Sequence, residues 1–185
     1  SDLADPEILR VTALRACAGS ADGAVRDRVE RALASASGVE RSVALEVLVI
    51  QGAIGPELLG AARRAAAARG GRELLVGLVA LGVLAPDEAL ARCRELLTGP
   101  SLHDWYVATY ALRYVRRPAA VPLLERVLTA ARGTPLEEIA AGALARHLEE
   151  PAVVPLLLAE LARGPEAPTA RRILADLARH LPEAP

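Results

Sequence analysis

The chain has 185 residues and a net charge of −1 at neutral pH; 52 per cent of its residues are hydrophobic but only 2 per cent are aromatic. A core made of Leu, Val and Ala favours closely packed helices over a β-sandwich. The near-neutral charge excludes a general attraction to nucleic acid or anionic lipid, so neither a nucleic-acid nor a membrane partner is expected. All 22 basic residues are arginine, for which codon bias in a GC-rich bacterial genome is the simplest explanation.

An Ala-Leu pair recurs along the whole chain at nearly constant spacing. The pairs begin at residues 13, 44, 80, 111 and 143, so that successive intervals are 31, 36, 31 and 32 residues. Self-similarity at this period is typical of a stacked repeat array, in which each unit buries its apolar face against its neighbours. We therefore expect one continuous domain over residues 1–185.

Helix start and stop signals predict eleven helices and no strand. The predicted ranges are 6–18, 22–35, 38–51, 55–69, 72–84, 86–98, 102–117, 119–132, 135–149, 151–163 and 167–181. Proline is predicted at a helix entrance in Asp5-Pro6, Gly55-Pro56, Ala85-Pro86 and Gly164-Pro165, where its missing N–H costs nothing. Thr134-Pro135-Leu136-Glu137 reads as a capping box, and Ser101 with Asp104 as a weaker form of it.

The repeats are most similar to one another in the second half of the chain. Residues 118–124 match residues 151–157, and Leu-Ala-Arg-His-Leu occurs at both 144–148 and 177–181. The unit from Asp104 to Leu124 resembles a HEAT repeat of the short Ala/Leu-rich type found in phycobilin lyases. The resemblance implies an all-α α-solenoid of about five and a half two-helix HEAT-like repeats in a right-handed superhelix, with the Ala-Leu helices in the inner row. The Val-Arg dipeptide common in that family's second helix is absent, which leaves TPR-like or armadillo-like packing open.

All four aromatic residues of the chain lie in one predicted helix, 102–117. At 100° per residue, the tyrosines and two arginines share a face turned away from the apolar stripe of that helix. Tyrosine and arginine are the residues most typical of binding hot spots. The predicted partner-binding residues are Trp105, Tyr106, Tyr110, Arg113, Tyr114 and Arg117. The alternative is that the tyrosines pack against neighbouring inner helices, because small residues such as Gly142 leave room for them.

Two further segments have unusual compositions. Helices 38–51 and 72–84 are apolar on nearly all faces, which predicts burial inside the array or, alternatively, an apolar groove for a partner segment. Gly77 and Gly82 are expected to permit close approach by a neighbouring backbone. Arg63, Arg64, Arg69 and Arg72 form a basic run that we expect to be solvated, with weak phosphate or acidic-partner contact as the alternative. The 36-residue interval there predicts a longer helix or a projecting loop.

The histidines and cysteines form no recognisable metal-binding or catalytic pattern. His147 and His180 occupy equivalent repeat positions near helix C-termini, where the helix dipole favours a cation. Cys17 and Cys93 lie in different predicted helices and are expected to be reduced, buried thiols. No metal or other cofactor is therefore expected.

The leading hypothesis from the sequence is a non-enzymatic scaffold that binds a protein or peptide partner on its inner helices. The alternative is an enzyme: HEAT-like DNA glycosylases use Trp, Asp and Arg on the concave face, and Asp104, Trp105 and Arg113 have those residue types. A phycobilin-lyase-like role is the other enzymatic option. Without a recognisable secretory signal, a cytoplasmic location is the default expectation. Residues 182–185 resemble a linker, as expected of a fragment or of a degenerate last repeat.

Overall fold

The computed structural model describes residues 6–20, 22–164 and 168–180, with side chains for residues 169–175 of the last segment. The described residues form eleven α-helices and no strand, which confirms the all-α prediction. The helices are α1 (Pro6–Ala16), α2 (Gly23–Ala32), α3 (Gly38–Ile50), α4 (Pro56–Ala66), α5 (Gly71–Leu84), α6 (Pro86–Leu96), α7 (Leu102–Leu112), α8 (Val121–Ala130), α9 (Pro135–Leu144), α10 (Val153–Arg163) and α11 (Pro168–His180). Among them, none has the length and apolar character that a membrane span requires.

The chain divides into two compact units, residues 1–85 and 86–185. In the first unit α3 packs against both α1 and α5, and in the second unit α9 packs against both α7 and α11. Each even-numbered helix packs mainly against the odd-numbered helix that follows it. The repeat copy that begins at residue 103 contains α7 followed by α8, whereas α8 packs mainly against α9. The sequence period therefore predicts the spacing of the helices but not which two helices pair.

The recurring Ala-Leu pairs lie on the buried side of the odd-numbered helices. Both members are buried in α3, α5, α7 and α9, whereas in α1 only the leucine is buried. Alanine at these positions leaves room for a neighbouring helix, and leucine fills the space between the two. The period of the Ala-Leu pairs in the sequence is therefore also the period at which these buried residues recur in the structure.

The matching segments 118–124 and 151–157 show nearly the same burial pattern. Leu124 and Leu157 are fully buried at equivalent positions, while the prolines two residues before them are exposed. The one clear difference is that Val121 is buried and Val154 is exposed. The helices α8 and α10 therefore use the same face for packing, as the sequence match predicts.

The 36-residue interval between residues 44 and 80 produces no long projecting loop. Only residues 67–70 separate α4 from α5, and α5, with 14 residues, is the longest helix in the described part of the chain. The end of α3 is closed by a Schellman motif, in which Gly52 has φ +70° and Ala53 N–H donates to the carbonyl of Leu48 at 2.9 Å. Residues 51–55 therefore connect α3 to α4 without a long projecting loop.

Gly77 lies where α4 and α5 are in closest contact. A Cβ atom at this position would lie 2.5 Å from the carbonyl carbon of Ala65 and 2.8 Å from its Cβ, and closer still to the backbone nitrogen of Ala66. These separations are far below van der Waals contact, so only glycine fits without displacing the α4 backbone. The expected close approach at Gly77 is confirmed.

The predicted capping interactions are confirmed at Ser101 but not at Thr134. Ser101 Oγ accepts a hydrogen bond from the backbone N–H of Asp104 at 3.2 Å. The Thr134 hydroxyl instead donates to the carbonyl of Ala131, and Glu137 accepts from the N–H of Gly133 rather than from that of Thr134. The capping-box prediction at Thr134 is therefore wrong, because the preceding turn engages both side chains. Pro56 and Pro86 begin their helices as predicted, while Asp5 and Pro165 lie outside the described residues.

Candidate functional site

Trp105 fixes the N-terminal half of α7. The indole Nε1 of Trp105 donates a hydrogen bond to the carbonyl of Gly99 at 2.9 Å, and Thr109 Oγ1 donates to the carbonyl of Trp105 at 2.6 Å. Trp105 is half-buried and does not line the cavity described below. It therefore anchors the entry of the chain into α7, a role that the sequence pattern did not indicate.

The regular helix α7 ends at Leu112, five residues before its predicted end. The next turn tightens, since the N–H of Val115 donates to the carbonyl of Leu112 three residues back. Arg117, which precedes Pro118, has an extended backbone with φ −142° and ψ 135°. The predicted helix 102–117 is thus too long. Because Arg117 lies beyond the end of α7, helical spacing does not give the direction of its side chain.

Arg117 pairs with an acidic residue of α6. Its Nε and Nη2 donate to the two carboxylate oxygens of Asp87 at 2.8 and 3.1 Å. The hydrogen bonds from this guanidinium lower the pKa of Asp87 below its usual value. Both side chains are exposed, so the pair contributes little to stability. Arg117 is therefore engaged within its own unit rather than presented beside Tyr110.

The three tyrosines of α7 are partly accessible. Tyr110 is 37 per cent exposed, and Tyr106 and Tyr114 are half-buried. The rings of Tyr110 and Tyr114 lie with their centroids 5.9 Å apart and their planes tilted by 45°, a favourable aromatic pair. Burial raises the pKa of Tyr114, and its hydrogen bond with Tyr110 raises it further, whereas Arg113 and Arg146 oppose the shift. The two phenols and these two cations therefore form one local cluster.

A cavity of about 300 Å³ opens beside this cluster, between α7, α9 and α11. It is lined by Tyr110 of α7, by Arg113 just after the end of α7, and by Arg172 of α11. The remaining lining residues come from α9: Pro135, Glu138, Ile139 and Ala143. The cavity thus combines an apolar wall with two cations and one carboxylate.

Arg113 has an unsatisfied hydrogen-bond donor within its unit. Its Nε is shielded from solvent and has no hydrogen-bond partner among the described residues, while the residue as a whole is half-buried. An unpaired buried donor costs about 1–3 kcal/mol, and more on a charged group. An acceptor that reached this guanidinium would recover that cost.

Of the six residues predicted to bind a partner, Tyr110 and Arg113 are in the described lining of the cavity, and its other lining residues were not predicted. Glu138, Ile139 and Arg172 belong to helices about one and two repeats further along the chain, and no local pattern distinguishes them. The Ala-Leu pair of α9 gave the only usable signal for Glu138 and Ile139, since α7 and α9 carry equivalent pairs and pack against each other.

His147 is buried and follows the end of α9. Its Nε2 lies 3.1 Å from the carbonyl of Leu112 and donates to it when that nitrogen carries the proton. Burial lowers the pKa of His147; Arg116 acts in the same direction, and the Leu112 carbonyl, Glu149 and Glu150 oppose it. The imidazole is therefore neutral at pH 7, contrary to the expectation of a cation here. The equivalent side chain of His180 lies outside the described residues.

We expect His147 to make the protein less stable in mild acid. A pKa that is lower in the folded than in the unfolded chain means that the unfolded chain takes up the proton first. Its stabilising contribution is complete above about pH 6.5 and is lost progressively as the pH falls below that value. Urea unfolding between about pH 7 and pH 5 measures this loss. His147→Gln should flatten the profile, whereas His103→Gln, at an exposed position in α7, should keep the wild-type slope.

The other candidate segments are mainly structural. Seven of the 13 residues of α3 and seven of the 14 residues of α5 are buried, whereas Val39, Ile50 and Val83 are exposed. The arginine run is exposed as expected, and Arg72 pairs with Glu46.

Burial raises the pKa of the Cys93 thiol to about 12, which keeps it protonated and unreactive. Cys17 is half-buried, and its thiol donates to the carbonyl of Ala13.

The residue types that suggested a DNA glycosylase do not come together. Asp104 lies in the first turn of α7 and Arg113 just beyond its last, about 14 Å apart along the helix axis at 1.5 Å per residue. Trp105 is engaged by Gly99. In the part of the chain that the structure describes, no group of three His, Cys, Asp or Glu side chains could hold a metal ion.

No protein-family model matches this chain, and no curated protein matches it in sequence.

Proposed function

We propose that the chain is a non-enzymatic interaction module that holds a segment of a protein partner against α7 and α9. In this proposal the helices form an α-solenoid of HEAT-like repeats in the cytoplasm, with the odd-numbered helices as its inner row. The packing of successive odd-numbered helices against one another in each unit supports this arrangement. The single observation that carries the function is the cavity of about 300 Å³ lined by Tyr110 and Arg113.

The composition of this surface supports binding rather than catalysis. Tyrosine and arginine contribute rigid contact area and oriented donors, which are the usual constituents of binding hot spots. The Tyr110–Tyr114 pair is already ordered in the free chain, so less conformational entropy is lost on binding. The cavity volume is at the lower end of the ~300–1,000 Å³ typical of ligand pockets, which suits one or two side chains of an extended segment.

Tyr110→Ala tests the proposal directly. Since Tyr110 is partly exposed, its removal should cost the fold about 1 kcal/mol or less, whereas loss of a hot spot weakens binding by at least about 2 kcal/mol, roughly thirtyfold. The partner is isolated on the immobilised chain, and dissociation constants are compared by calorimetry. Leu102→Ala, which truncates an exposed side chain of the same helix outside the cavity, is the matched control and should bind nearly as the wild type does.

Two results would contradict the proposal. A large loss of stability in Tyr110→Ala with unchanged affinity would make Tyr110 a packing residue. Turnover of a small substrate by a chain that retains no partner would favour the enzymatic alternative, and tight binding to duplex DNA at low salt would favour the glycosylase form of it.

A further inference from the structure

We infer that the partner segment is acidic and places a carboxylate against Arg113 at the mouth of the cavity between α7, α9 and α11. This inference rests on the proposed function, whose partner it specifies. The occupant is an extended peptide in which an Asp or Glu side chain is flanked by apolar residues. Four observations lead to it, concerning the unpaired donor, the charges, the apolar wall and the contrast with a second cavity.

The first observation is the unpaired donor. Arg113 Nε has no hydrogen-bond partner in the described part of the chain, and a guanidinium offers its Nε and one terminal nitrogen as a fork that matches the two oxygens of a carboxylate. Arg117 makes this same arrangement with Asp87 elsewhere in the unit. Arg113 is half-buried and lines the cavity, so its guanidinium lies beside the space that a ligand would occupy.

The second observation is the local charge. Arg113 lines the cavity and Arg146 acts on the adjacent Tyr114 phenol, whereas Glu138 is the one carboxylate in the described lining. This surface is positive although the chain as a whole carries a net charge of −1. Cationic surroundings attract an anionic segment and repel a basic one.

The third observation is the apolar wall. Pro135, Ile139 and Ala143 of α9 face the cavity together with the ring of Tyr110. A free inorganic anion makes no use of such a surface, whereas the apolar neighbours of an acidic residue in a peptide bury themselves against it. The combination therefore favours a peptide over a small anion.

The second cavity gives the contrast. It also measures about 300 Å³ and lies in the first unit, but its lining charges are balanced: Arg26 and Arg64 stand against Glu30 and Glu57. Arg26 and Glu30 form an ion pair at 3.0 Å. A balanced and internally paired lining gives no preference for a charged ligand, so the inference concerns the cavity at Arg113 alone.

A library of random short peptides, displayed on phage and selected on the immobilised full chain, tests the inference. We expect the selected peptides to be enriched in Asp or Glu next to an apolar residue. One selected peptide is then synthesised with each acid replaced by its amide, and this peptide should bind at least about tenfold more weakly than the acidic form. Arg113→Gln should lower affinity for the acidic form to a similar extent, while Arg92→Gln, on α6 outside the cavity, should leave it unchanged.

Weaker binding in Arg113→Gln could also result from a folding defect, and Glu138→Gln distinguishes the two explanations. Removing the one carboxylate that lines the cavity should tighten binding of the acidic peptide severalfold, which a folding defect cannot do. Glu125→Gln, at an exposed position in α8, is its matched control. An unchanged or weaker affinity in Glu138→Gln would overturn the electrostatic argument.

The outcomes separate this inference from the proposed function. Enrichment of neutral or basic peptides that depend on Tyr110 overturns the acidic partner and leaves the interaction module intact. No enrichment of any sequence overturns both. If sedimentation shows a dimer that Arg113→Gln dissociates, the occupant is a second copy of this chain and the peptide is excluded.

Discussion

Gly77→Ala should destabilise the protein by a net ~2 kcal/mol or more, although alanine is the better helix former. Replacing glycine within a helix gains about 1 kcal/mol in propensity. Against this, the new methyl group would lie 2.5 Å from the carbonyl carbon of Ala65 and closer still to the backbone of Ala66. Overpacking typically costs about 1–3 kcal/mol, and here we expect a cost of about 3 kcal/mol or more, because the obstacle is backbone, which cannot rotate away. The steric cost therefore exceeds the propensity gain.

The chain provides a matched control for this change in the facing helix. A methyl group on Gly60 in α4 would meet only Arg64 Nη1 at 3.6 Å, an ordinary contact at the end of a flexible side chain. Gly60→Ala should therefore stabilise the protein by roughly 0.5–1 kcal/mol. Urea unfolding of the two variants measures both changes. If Gly77→Ala were as stable as the wild type, the close contact between α4 and α5 would be absent in solution.

Leu112→Ala is expected to cost about 2–5 kcal/mol, the range for removing a fully buried leucine side chain. Leu112 has no exposed surface and lies at the end of α7, where α7 packs against α9. Its equivalent in the next repeat, Leu144, is equally buried. Leu144→Ala should therefore cost a similar amount, since the two leucines fill corresponding spaces.

Leu102→Ala is the control at the other end of the same helix. Leu102 is largely exposed, and its truncation should change the free energy of unfolding by less than about 0.5 kcal/mol. Comparable losses in Leu102→Ala and Leu112→Ala would mean that the recurring Ala-Leu pair does not define the buried face of α7.

The sequence predicted the helices well where the signal is local. All eleven predicted helices are present among the described residues, and proline begins α4 and α6 as expected. These features depend on interactions within a few residues, such as the missing N–H of Pro56 or the cap formed by Ser101. Local chemistry decides them, so local sequence suffices.

The sequence predicted the site less completely. Helical spacing correctly placed Tyr110 and Arg113 near one another, and both line the cavity. It misplaced Arg117, because α7 ends at Leu112 and Arg117 meets a carboxylate 30 residues away in the sequence. It could not show that Trp105 would be engaged by Gly99, since that contact depends on the path of the turn before α7.

The sequence by itself determined the helical class and the buried side of α3, α5, α7 and α9, because the Ala-Leu pairs that recur every 31 to 36 residues mark similar packing positions in these helices. The tertiary structure alone decided which helices pair, why Gly77 must be glycine, and that Arg113 carries an unpaired donor beside Glu138 and Arg172. These outcomes depend on distances between residues remote in the chain. A one-dimensional pattern encodes which faces are apolar, but not which groups meet when those faces come together.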